Sequence, residues 1–179
     1  MRRRPRPFPA GPVAPVAAAF LALACAAPWS ATALGAGRTA VPGAAVELEP
    51  PETFIVAPDG SALVDLGAGA RIEAVETDLP VGTTLDGLTP DALRPRGVEL
   101  LASAPVASGL GEAVLHHVRQ GVEGEPVERW MLVAGDATGT LVLTATLPGG
   151  ASPEAEEAVR AALLGATRAG AAVSEAGQE

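Results

Sequence analysis

The chain has 179 residues, 12 of them basic and 21 acidic, for a formal charge of −9, and every basic residue is arginine. A chain this acidic repels phosphate backbones, so nucleic acid and anionic membrane surfaces are excluded as expected partners. The length suits one domain, and with one cysteine and no tyrosine the core has to be built from Val, Leu, Ile and Ala.

The first elements lie in residues 1–33. Arg2, Arg3, Arg4 and Arg6 precede an uncharged run from Val13 to Ala27. That run is shorter than the ~20 apolar residues a bilayer crossing needs, and Pro15 and Pro28 interrupt it. Ala31-Thr32-Ala33 then supplies an A-x-A site, which completes the three-part form of a secretory signal peptide. Cleavage is expected after Ala33, leaving no transmembrane helix in a periplasmic or secreted protein. A competing reading rests on Leu21-Ala22-Leu23-Ala24-Cys25, which resembles a degenerate bacterial lipobox with Cys25 as the lipidated residue. It has Ala22 where such a box prefers an aliphatic residue, and the type of signal peptidase stays open between the two. Removal of residues 1–33 leaves eight arginines against 21 acidic residues, a formal charge of −13. With Cys25 gone, neither disulfides nor thiolate metal sites can support the fold.

Residues 34–45 have no periodicity and read as a flexible linker, with one α+β domain over 46–170 and a frayed tail over 171–179. Ala62, Val64 and Leu66 alternate with polar neighbours, as do Ile72 and Ala74, which predicts two strands joined by a tight turn at Gly67-Ala68-Gly69. Thr89 followed by Pro90 predicts a short helix that Pro95 stops. AVLHHVRQG (113–121) and EPVERWMLVAG (125–135) predict a hairpin turning at Glu123-Gly124. Residues then pair so that their numbers sum to 247, setting Arg119 opposite Glu128, His117 opposite Trp130 and Leu115 opposite Leu132. Both faces carry large apolar residues, so the hairpin is expected to be central and covered on each side. Leu141, Leu143, Ala145 and Leu147 mark the clearest strand, whose Thr-rich side should be the wetter one. Ser152 before Pro153 caps an amphipathic C-terminal helix carrying Ala155, Ala158, Val159, Ala162, Leu163 and Ala166 on one stripe, with Arg168 at its negative end.

These elements add up to an antiparallel β-sheet flanked by helices. The order LEPPETFIVA, LVDLGAGARIEAVETDLP, LTPDALRPRGVELL, GEAVLHHVRQGVEGEPVERWMLVAGDATGTLVLTATLP and the closing helix resembles the PsbP-like α/β/α sandwich, over residues 46–168. The resemblance rests on the order and character of segments. It implies a binding or accessory role, as in an extrinsic photosystem subunit, a nuclear-import factor that binds a small GTPase, and small exported bacterial proteins.

The residues themselves offer little chemistry. His116 and His117 are neighbours on a strand and point to opposite faces, so they cannot chelate one metal, and no metal or cofactor site is expected. Ser61, Ser103, Ser108 and Ser152 lie in no G-x-S-x-G elbow. GLGEA (109–113) lacks the ending and the helix of a phosphate loop and reads as a turn, as does Asp136-Ala137-Thr138-Gly139. The leading expectation is an exported, non-catalytic module that binds a protein or envelope component. The alternative is an enzyme whose site is assembled from scattered residues. The candidate contact surface is the hairpin face carrying His117, Arg119, Glu128 and Trp130, since Trp and Arg are enriched among interface hot spots; the bland alternative is that these pairs only hold the register.

Overall fold

The computed structural model describes residues 37–170; the expected signal peptide, Cys25 and the tail lie outside the described residues. Strands β1 (Thr39–Ala40), β2 (Val46–Leu48), β3 (Ile55–Val56), β4 (Leu63–Asp65) and β5 (Ala70–Thr77) lead into two short helices, α1 (Val81–Asp86) and α2 (Pro90–Leu93). Strands β6 (Val98–Ser108), β7 (Gly111–Val122), β8 (Glu125–Gly135) and β9 (Thr140–Pro148) follow, then helix α3 (Pro153–Leu164) and β10 (Thr167–Arg168). Seven strands form one antiparallel sheet in the order β3-β4-β5-β9-β8-β7-β6, and β1, β2 and β10 form a small second one. The class is α+β or mostly β.

Strand alternation decides which side of the large sheet is packed. In β9, Leu141, Leu143, Ala145 and Leu147 are buried, whereas Val142, Thr144 and Thr146 stay partly exposed, because successive side chains point to opposite faces. The same face collects Leu115, Leu132, Ile72 and Ala74, together with Val159, Ala162 and Leu163 of α3. Full burial of each such Leu or Ile contributes roughly 1.5–3 kcal/mol. Helix α3 starts where Ser152 Oγ accepts from the Ala155 amide at 3.2 Å, with Pro153 at the first helical position.

The hairpin has the expected register throughout, from Ala113 opposite Ala134 to Val122 opposite Glu125. Its turn places Glu123 at φ 53° and Gly124 at φ 91°, both left-handed, which matches the twist that two-residue hairpin loops need. The strands lie inside the sheet, and both faces hold buried residues: Leu115 and Leu132 on one, His116, Val118 and Val133 on the other.

Several segments differ from expectation. The stretch 34–45 is not a plain linker where described: Thr39–Ala40 pairs with β2, and Val41 is fully buried in the core. Arg38 holds it by donating to the Glu47 and Gly165 carbonyls and the Thr167 hydroxyl. Leu63, and not Leu66, enters the core, because Asp65 Oδ1 accepts from the Gly67 and Ala68 amides and leaves Leu66 exposed in the turn. Pro95 ends α2 but continues as a 3-10 turn over Arg94–Arg96. Helix α3 stops at Gly165, so Arg168 sits in β10, bonded to Glu76, and does not cap the helix. Strand β6 and helix α1 had no sequence signal: β6 is a mostly exposed sheet edge, and α1 buries no residue.

Candidate functional site

The face carrying the expected contact residues is built by strand register alone. Pairing of His117 with Trp130 and of Arg119 with Glu128 puts four side chains on the side of the sheet that α3 covers. The diagonal reach between rows, about 7–8 Å, then lets Glu128 serve two partners. Its Oε2 lies 2.7 Å from His117 Nε2, while Oε1 accepts from Arg119 Nε at 3.2 Å and Nη2 at 2.8 Å. The His117 and Glu128 side chains are each 15% exposed, and Arg119 is 45% exposed. A second carboxylate, Glu99 of β6, approaches Arg119 at 3.9 Å.

The Arg119 hydrogen bonds, and then His117, hold the Glu128 carboxyl below its ordinary range against the opposing effect of burial. Glu128 in turn raises the Arg119 guanidinium. The carboxylate is therefore charged at neutral pH and committed on both oxygens. Both carboxylate oxygens of Glu128 are engaged, so the network organises charge across the two strands.

Beside it, the His117 and Trp130 rings stack with centroids 4.0 Å apart and planes 10° from parallel. Trp130 is half-buried and packs against the main core. Arg160 of α3 lies over the indole, 5.8 Å from Cζ to the ring centroid, within cation–π range, and pairs with Glu157 at 3.0 Å. The indole is thus held between an imidazole and a guanidinium, covered in part and not closed off. All four expected residues come together here. Arg160 and Glu99 join them without having been foreseen, because a sequence does not show which strand a distant helix crosses.

His116 faces the opposite side and is 4% exposed. Among the described residues no cluster of His, Cys, Asp or Glu suits a metal ion. On that opposite side an open cleft of about 560 Å³ lies between α1 and strands β6–β8, with Val81, Leu85, Val106, Val114, Val133 and Glu112 in its walls.

No family model matches the chain, and no curated protein matches it. Solved structures do share its fold. One is LpqN, involved in cell envelope biogenesis of Mycobacterium tuberculosis, 16% identical with a TM-score of 0.50 over 68% of this chain and 82% of LpqN. Another is a Bacteroides thetaiotaomicron protein, 13% identical with a TM-score of 0.50 over 75% of this chain. The chain spans about half of that second protein, 49% of its length.

Proposed function

We propose that this is an exported, non-catalytic binding or accessory module of the bacterial envelope, docking a protein or envelope component through the His117–Arg119–Glu128–Trp130 face. The observation that carries the reading is the half-buried Trp130, clamped between His117 and Arg160 beside an exposed arginine. Rigid aromatic and arginine side chains of this kind dominate binding energy at interfaces. An LpqN-like fold agrees with an envelope setting, and an α3-covered antiparallel sheet agrees with the PsbP-like sandwich, in which binding roles predominate. The cleft under α1 is walled mainly by apolar side chains, with Glu112 as its ionisable group.

Export and docking are tested separately. Intact-mass measurement of the protein recovered from the envelope or medium should give a chain starting at Leu34. A diacylglyceryl mass on an N-terminal Cys25 would make it a lipoprotein, and an unprocessed chain in the cytoplasm would contradict export. For docking, wild type, Trp130→Ala and Arg119→Ala are cross-linked in the envelope fraction after circular dichroism shows that each is folded. Both variants should lose a product that wild type forms; equal products from all three would refute this face as the docking site.

A further inference from the structure

His116 is the buried titratable group that the docking face does not use. Its register partners are Met131 on β8 and Ser103 on β6, and its neighbours along β7 on the same face are Val114 and Val118. The ring is 4% exposed, and neither Nδ1 nor Nε2 meets a protein hydrogen-bond partner among the described residues. An imidazole can occupy such a site when neutral. An imidazolium there brings two N–H donors and a positive charge into an apolar layer with nothing to receive them.

What lies above the ring is thin. Helix α1 lies against β8, and its Val81 and Leu85 face Val114 and Val133 across the open cleft. Helix α2 and the turn after it lie against Val98 and Leu100 through Pro90 and Arg94. His116, on β7 between β8 and β6, falls between the strands that α1 and α2 lie against, where the chain passes from one helix to the other. Of the two helices, α1 has no side-chain cap and buries no residue, and α2 buries Leu93 alone. Three hydrogen bonds tie α1 and its lead-in to the sheet, Val81 N–H to the Asp136 carbonyl at 2.9 Å, Thr84 Oγ1 to Thr140 Oγ1 at 3.2 Å and Thr140 Oγ1 to the Leu79 carbonyl at 2.7 Å; a cover held by these and by Leu93 opens at lower free-energy cost than the sheet core.

The charges around the site favour opening on acidification. On the same face β8 brings Arg129, a cation about 7–8 Å away on the diagonal, bonded to the neutral Gln120. Strand β6 contributes Ser103 and no charge. Glu112, on the same face of β7, is four residues off, roughly 13 Å. The cover itself carries Asp86, Asp91, Arg94 and Arg96, all exposed, with Asp91 paired to Arg94 at 3.0 Å. No carboxylate is therefore placed to receive a protonated His116.

We propose that His116 is an acid-sensitive latch: its neutral ring lets the α1–α2 cover close over strands β6–β8, and its protonation releases that cover while the rest of the sheet stays folded. Burial lowers the His116 pKa below the ordinary 6.5. The open state, with the ring in water, then binds the extra proton as pH falls through 6.5, and closure loses stability from there down to the depressed value. One proton gives up to a tenfold change in the opening equilibrium per pH unit over that window.

The test is native-state hydrogen exchange on the full exported protein between pH 7 and pH 5, corrected for intrinsic exchange rates. The amides of Gly87, Leu88 and Leu93, bonded to Thr84, Leu85 and Thr89 carbonyls, should lose about tenfold protection per unit below pH 6.5, while β9 and α3 amides keep theirs. His116→Leu should abolish this pH dependence, and His117→Gln should retain it. The latch is overturned if His116→Leu shows the wild-type profile, or if α3 and β9 open in parallel with the cover. Should His116→Leu fail to fold, carbon-13 NMR of the wild-type ring decides: a ring still neutral at pH 6 supports the latch, and titration near 6.5 with the cover closed refutes it.

Discussion

Glu128→Gln tests the docking face where its electrostatics are most concentrated. The substitution keeps the side chain's shape and removes its charge. In the folded protein the carboxylate accepts from Arg119 through two nitrogens and meets His117 at 2.7 Å, with 15% of the side chain exposed. Hydrogen bonds to charged groups contribute roughly 1.5–3 kcal/mol when shielded, and exposed ion pairs roughly 0.2–1 kcal/mol. Arg119 is 45% exposed, so its share belongs near the lower range and the His117 share near the upper. The expected loss is about 1–2 kcal/mol, or roughly 3–8 °C in melting temperature for a domain of this size. Because the folded pKa of Glu128 is depressed, its contribution is complete above the ordinary glutamate value of about 4.3 and is lost as pH falls through the lower folded value. Urea titrations followed by circular dichroism at pH 7 and pH 3 should therefore differ less for Glu128→Gln than for wild type. A variant as stable as wild type at pH 7, with an unchanged pH dependence, would refute this account of the network.

Three further outcomes are expected. Gly109→Ala should destabilise by about 2 kcal/mol or more, since its Cβ would lie 2.4 Å from the Ala166 carbonyl oxygen and 2.9 Å from Thr167 Cγ2, an overpacking the backbone cannot relieve cheaply; a thermal melt within 1 °C of wild type would contradict it. Glu123→Asn should raise stability by roughly 0.5–1 kcal/mol, because Asn tolerates the left-handed φ of 53° at that turn position better than Glu does, and denaturant midpoints measure it. Thermal melts of the exported protein with and without chelator and reductant should superimpose; a loss of several degrees with chelator would reveal a metal site.

How much was legible in the sequence follows from how local each signal is. The hairpin register came out in full because a two-residue turn and period-two alternation fix every pair from Val122–Glu125 back to Ala113–Ala134. The caps at Thr89 and Ser152 were equally local, each hydroxyl accepting an amide three residues on. Strand β6 was not legible, since Ala102 to Pro105 are small, exposed residues at an edge with no buried face to impose a period. Val41 looked like linker because much of the core cluster it joins, such as Leu143 and Leu163, is distant in sequence. The four docking residues followed from register. Arg160, which completes the Trp130 clamp, depended on where α3 crosses the sheet, and no local pattern states that.

The docking face is tested most directly by site-specific photocross-linking in the living cell, with p-benzoylphenylalanine placed at Arg160, beside the Trp130 ring, or at Leu66, an exposed residue in the distant β4–β5 turn. The account predicts a discrete cross-linked envelope product from position 160 that disappears in a Trp130→Ala background, and none from position 66. Products from position 66 alone, or the same product from position 160 with and without Trp130, would contradict it.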